Sequence, residues 1–177
     1  EGRVVVGLDG ALGDEKRVSP PTAKRLAALA ATDPSPVVRA QLCCTAKRLP
    51  GEQALPVIEQ PLLRDIDGGD PVIPQLLWWA IEGQCEDHRD AVVQLFEDPA
   101  FWRSPLVEKN LLDRTCRRFA QAGSRRDLLA CARLFELSPS VENSRRLRSG
   151  FEAAYKGRPL AGLPDELVKA MARDGVG

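Results

Sequence analysis

The stretch "SPVVRAQL" at residues 35–42 returns in altered form as "DPVIPQLL" at 70–77, "SPLVEKNL" at 104–111 and "SPSVENSR" at 138–145. The spacings are 35, 34 and 34 residues, so one register holds along most of the chain. Position one is Ser or Asp, position two is always Pro, and position four is Val or Ile. Position eight is Leu in three copies and Arg145 in the last. Each copy carries the chemistry of a helix start. The side-chain oxygens of Ser35, Asp70, Ser104 and Ser138 can accept from a free amide of the first turn. Pro36, Pro71, Pro105 and Pro139 then fall at the first helical position, where a missing N–H costs nothing.

Apolar residues step onward from each start at helical spacing. They are Val38, Leu42 and Leu49, then Ile73, Leu77 and Ile81, then Val107 and Leu111 leading to Thr115. In the fourth copy the seam is re-set as Val141, Leu147, Phe151 and Tyr155. These are read as the second helices of four repeats, starting near 35, 70, 104 and 138. First helices are expected between them at 20–32, 51–65, 87–98 and 124–137. Pro56 and Pro61 are expected to kink or shorten the second of these. One period before Ser35 falls on Glu1, which makes "RVVVGLDGAL" the second helix of an earlier repeat rather than a strand. "LPDELVKAMA" at 163–172 fits the first helix of a fifth. A 34–35-residue period with two helices per unit predicts an all-α chain, a right-handed α-solenoid of antiparallel helix pairs with one continuous core. Residues 1–177 read as a single repeat domain, and starting and stopping mid-repeat suggests a piece of a longer protein.

Composition agrees with a folded helical chain: 44% hydrophobic and 28% charged residues, far from a disordered balance. No apolar run approaches the roughly 20 residues of a membrane helix, so no membrane span is expected. The formal net charge is zero but unevenly spread. Residues 1–102 hold 10 Lys/Arg against 16 Asp/Glu, and residues 103–177 hold 15 against 9. Solvated helix faces account for such a split, and so does a basic end meeting an acidic partner or a phosphate backbone. Cys43, Cys44, Cys85, Cys116 and Cys131 are odd in number and irregular in spacing, which predicts reduced core thiols rather than a disulfide framework. That leaves the compartment open.

"DPSPVVRAQL" at 33–42, with Asp33 in the turn and Val38–Arg39 in the helix after it, resembles the HEAT-repeat signature. The resemblance implies a bond between Asp33 and Arg39 that fixes stacking. Later copies carry Pro74, Glu108 and Glu142 at the Arg39 position, which argues against a regular Asp–Arg ladder. "DPVIPQLLWWAIE" and "GFEAAYKGRPLAGLPDELVKAM" also look like the helical middle of large bacterial proteins. Those proteins join a dehydrogenase-like β-propeller, a HEAT-like array and a c-type cytochrome module. That resemblance implies a periplasmic or exported parent. The haem attachment pattern Cys-x-x-Cys-His is missing from this chain.

The residues singled out for function are Trp78, Trp79 and Glu82, and the arginines Arg117, Arg118, Arg145, Arg146 and Arg148. At least one of the tryptophans is expected in the core. Trp78 and Glu82 exposed together in a cleft would instead suit a HEAT-fold DNA glycosylase, whose family stacks Trp on an alkylated nucleotide. Arginines grouped on a concave face would suit a nucleic-acid module. Cys85, Asp87, His88 and Asp90 cluster at a helix start. With one His in the chain and no nearby second Cys, they fall short of a zinc ligand set. No phosphate-cradling Gly-rich loop, dinucleotide fingerprint or nucleophile elbow is present. The expectation is a non-catalytic scaffold or protein-interaction module, with no cofactor and a protein as partner. The alternatives are nucleic-acid binding through the basic carboxy-terminal half, and the glycosylase-like enzyme.

Overall fold

The structure, a computed structural model, describes residues 16–64 and 66–173. Among them are eleven α-helices and no strand. The chain divides into two compact units, the first ending at Val92 and the second beginning at Val93.

In the first unit, α1 (Pro20–Thr32), α2 (Pro36–Ala46), α3 (Gly51–Arg64) and α4 (Ile73–Glu82) follow one another through short turns. Packing skips a helix, α1 lying on α3 and α2 on α4, but α2 meets α3 just as extensively, and α3 also touches α4. Leu26, Leu42, Ile58, Leu62, Ile73, Leu77 and Ile81 are fully buried and form the core of this unit. A short helix, α5 (Arg89–Leu95), runs across the boundary between the units.

The second unit holds α6 (Pro99–Arg103), α7 (Pro105–Asn110), α8 (Leu112–Ala122), α9 (Arg125–Leu137), α10 (Val141–Tyr155) and α11 (Asp165–Arg173). Here too the main packing skips a helix, α8 against α10 and α9 against α11. Phe96, Phe101, Phe119 and Phe151 are fully buried. Phe96 meets Phe101 and Trp102 edge-on, at centroid separations of 5.0 and 5.2 Å. The Trp102 indole N–H donates to the Phe96 carbonyl at 2.6 Å, so this aromatic knot buries no unpaired donor. At Gly150, α10 comes so close to α8 that a Cβ would sit 1.9 Å from the Asp113 carbonyl oxygen. Only a residue without a side chain fits there.

The predicted helices are present, and their ends carry the differences. Ser104 caps α7, accepting from the Val107 amide at 3.3 Å, with Pro105 at the first helical position. Ser35 makes no side-chain cap bond; the turn before α2 is closed by Asp33 Oδ1, which accepts from the Ser35 amide at 2.9 Å. Asp70 does accept amides, those of Val72 and Ile73 at 2.8 and 2.9 Å, but the helix begins at Ile73, beyond Pro71. Those two amides hold the Asp70 carboxyl below the usual carboxylate range. In the fourth copy the start slides by two residues: Ser140, not Ser138, caps α10 by accepting from the Asn143 amide at 3.1 Å. Val141 is consequently exposed, whereas Leu147 and Phe151 are buried as expected. Tyr155 stacks on the Phe151 ring with centroids 4.6 Å apart.

The third second helix is two pieces, α7 and α8, joined at Leu111, whose buried side chain keeps its place in the seam. Pro56 and Pro61 do not shorten α3, which runs for 14 residues through both. Each proline withdraws one N–H from the helix and costs about 3 kcal/mol in an isolated helix interior. The burial of Leu55, Val57, Ile58 and Leu62 against three other helices outweighs that. The helix α6, capped by Asp98 at the Ala100 amide, is one the period alone does not foresee. The helix expected at 163–172 is α11. "RVVVGLDGAL" lies outside the described residues.

Candidate interaction surface

The polar side chains that tie the helices together recur at close to one sequence period. Arg39 is the centre of the first set. Its Nε and Nη2 donate to the two oxygens of Asp67 at 2.8 and 2.6 Å, and its Nη1 donates to the Asp33 carbonyl at 3.0 Å. The expected Asp33–Arg39 pair thus forms through the Asp33 main chain, and the carboxylate partner is the residue 34 places further on. Both charged side chains are almost completely buried, at 6% and 2% exposure. The bond to Asp67 raises the Arg39 pKa further above its ordinary value. Arg64 Nη1 caps the end of α1 by donating to the Ala30 and Asp33 carbonyls, both at 3.3 Å.

Two glutamines play matching parts. Gln53 exchanges two hydrogen bonds with the Val18 backbone, 35 residues earlier, at 2.9 and 3.1 Å. Gln84 Nε2 donates to the Leu49 carbonyl, also 35 residues earlier, at 3.1 Å. In the second unit Arg133 pairs with Glu97, 36 residues back, and Arg146 with Glu108, 38 back, at 3.3 and 3.1 Å. Asp67 was findable from sequence, because it lies one period after Asp33. The glutamines carry no such signal by residue type.

Trp78 and Trp79 point different ways. Trp78 is buried at 8% exposure and belongs to the core with Leu77 and Ile81. Trp79 is 43% exposed, and the Lys47 ammonium lies 5.6 Å from its ring centroid, a cation–π contact. Glu82 is half-buried. Trp78 and Glu82 are therefore not exposed together, which was the arrangement a glycosylase-like cleft required.

The arginines of the second unit are largely engaged. Arg146 reaches Glu108 and Glu142, and Arg145 reaches Glu142 at 3.8 Å. Arg148 Nη2 donates to the Met171 carbonyl at 2.6 Å, tying α10 to α11. Arg117 is exposed and Arg118 half-buried on α8.

All five cysteines are free thiols; Cys43, Cys85, Cys116 and Cys131 are buried and Cys44 is half-buried. Burial pushes the Cys43 thiol up to about 12. A hydrogen bond with Cys116, and then burial, raises Cys131. Cys85 sits just past α4 with its thiol on the Ile81 carbonyl, so it is a core residue like the others. Among the described residues no group of three or more His, Cys, Asp or Glu is placed to hold a metal ion, and no helix is long and apolar enough to cross a membrane.

The same turns that hold Val18 and Leu49 shape a pocket of about 290 Å³. Its polar wall is Lys16, Lys47, Arg48, Gln84, Asp87 and His88. The His88 ring presses on Gly51, where a Cβ would lie 2.4 Å from the imidazole Cγ. These residues come from four separate stretches. The sequence offered no usable signal, since the Lys-Arg pairs at 16–17 and 47–48 lie 31 residues apart, off the 34–35-residue register.

No protein-family model matches the chain, and no curated protein or solved structure matches it.

Proposed function

We propose that this chain is an α-solenoid segment of HEAT-like helix pairs, acting as a non-catalytic scaffold that docks a protein, either other domains of a parent chain or a separate partner. One observation carries the reading: helices pack on the next helix but one, and buried polar side chains bridge positions about one repeat apart. That combination, α1 on α3, α2 on α4, and Arg39 reaching the residue 34 beyond Asp33, supports a stacking of repeats that each bury a face on their neighbour. Such stacking leaves the outer helix faces of a unit free for recognition. Trp79 is its most conspicuous anchor, an exposed aromatic braced by a cation, of the kind that dominates protein interfaces.

Lysine cross-linking and mass spectrometry test the docking role, with Lys24, Lys47, Lys109, Lys156 and Lys169 all exposed as reporters. The expected result is a reproducible set of links from Lys47 to one protein surface, weakened by Trp79→Ala. Links that scatter without a preferred surface, or a map that Trp79→Ala leaves unchanged, would sink the reading. Ultraviolet cross-links to nucleic acid through the second unit would favour the alternative.

A further inference from the structure

We propose that the pocket walled by Lys16, Lys47, Arg48 and His88 is a binding site for a phosphate group, either free or carried as a small monoester. It goes beyond the scaffold reading and stands without it. Lys16 and Lys47 supply ammonium groups to one cavity, and Arg48 and His88 add a guanidinium and an imidazole. Lys16, Lys47 and Arg48 give the wall three positive charges against one negative from Asp87. A cavity of about 290 Å³ has room for a phosphate and a small carrier.

The second observation is a buried donor with nothing to donate to. Arg48 Nη1 is held by the Cys44 carbonyl at 3.2 Å, while its Nε is buried and has no hydrogen-bond partner. Leaving such a group unpaired costs about 1–3 kcal/mol, more when it is charged. The edge formed by Nε and Nη2 is the one that grips an oxyanion with two parallel bonds. A phosphate would neutralise the wall and meet the Arg48 guanidinium that lines it. Gly51 contributes by its lack of a side chain, since any Cβ there displaces the His88 ring. Trp79 flanks the site through Lys47, whose side chain both lines the cavity and approaches the indole. A nucleotide could therefore place its base near an exposed aromatic face.

The experiment is calorimetric titration of the chain with inorganic phosphate and, separately, with adenosine 5′-monophosphate, with chemical-shift mapping by NMR. Saturable binding that moves the Arg48 and His88 signals is expected. Arg48→Gln should weaken it roughly tenfold to a hundredfold, as loss of a charge-assisted pair implies. Gly51→Ala should weaken it as well, with the fold checked by circular dichroism. Arg125→Gln, on an exposed ion pair of the second unit, should leave it unchanged. Tighter binding of the nucleotide that is lost in Trp79→Leu would name a nucleotide as the source, and equal affinities would name phosphate itself. Absence of saturable binding by either probe, or binding that survives Arg48→Gln undiminished, overturns the proposal.

Discussion

At the scale of single residues, the buried charge pair decides most. Arg39 and Asp67 meet in a two-pronged geometry with almost no solvent, and the third Arg39 donor is used on the Asp33 carbonyl. Removing one partner strands the other charge in the core, which costs roughly 3–5 kcal/mol, whereas replacing both by apolar residues is often close to neutral. Arg39→Met should therefore lower stability in urea by roughly 3–5 kcal/mol, and Arg39→Met with Asp67→Leu should recover most of it. A double variant as unstable as the single one would show that the pair is not the cause. Cys43 gives a pH prediction. Its pKa rises from an ordinary 9.0 to about 12 in the folded chain, so its contribution to stability is complete below pH 9 and is lost as the pH climbs from 9 towards 12. The slope is roughly 1.4 kcal/mol per pH unit for one such group. Urea midpoints of the wild type and Cys43→Ala should converge between pH 8 and pH 10.5; a constant gap would mean that Cys43 does not titrate as its burial demands.

At the scale of elements, most of the helix plan was readable and the helix ends only in part. Ser104 with Pro105 and the start at Pro36 stand as read, and the other caps do not. Period and apolar spacing are properties of the chain itself, so α1, α2, α3, α9 and α11 fall close to where the sequence puts them. A cap is different, because any nearby oxygen can satisfy a first-turn amide. Ser140 displaces Ser138, and Ser35 makes no side-chain cap bond, its own amide being taken by Asp33 instead. The break at Leu111 and the continuity of α3 through Pro56 and Pro61 are likewise decided by packing, which sequence spacing does not carry. Gly150 shows the same contest in numbers. Helix propensity alone favours Gly150→Ala by about 1 kcal/mol. Against that stands a Cβ 1.9 Å from the backbone oxygen of Asp113, an overlap that neither helix can relieve without moving. Overpacking of this kind costs about 3 kcal/mol or more. Gly150→Ala should thus lower the melting temperature sharply, while Gly69→Ala, with nothing within 4 Å of the new methyl, should scarcely shift it. Equal melting temperatures for the two variants would mean that α8 and α10 are not in such close contact.

At the scale of the whole molecule, the repeat was legible because it is written in residue types, and the phosphate pocket was not, because its walls come from residues up to 72 positions apart, Lys16 to His88. Charge is the intermediate case. The sequence shows a basic carboxy-terminal part, but only the structure shows how much of that charge is already answered. Arg125, Arg133, Arg145 and Arg146 all have carboxylate partners on the surface. Exposed pairs of this kind are each worth about 0–1 kcal/mol, too little to forbid exchange for phosphates, yet every exchange leaves a carboxylate facing a polyanion. A duplex bound through this half would release few counterions. Titration of a 20-base-pair duplex by fluorescence anisotropy across 50–200 mM salt checks this, since the slope of log K against log salt is about −0.9 for each phosphate neutralised. The scaffold reading expects weak binding with a slope no steeper than about −2. A slope near −6, reduced by about one on Arg117→Gln, would mean that the arginines abandon their partners for the backbone. The second unit would then be a nucleic-acid interface.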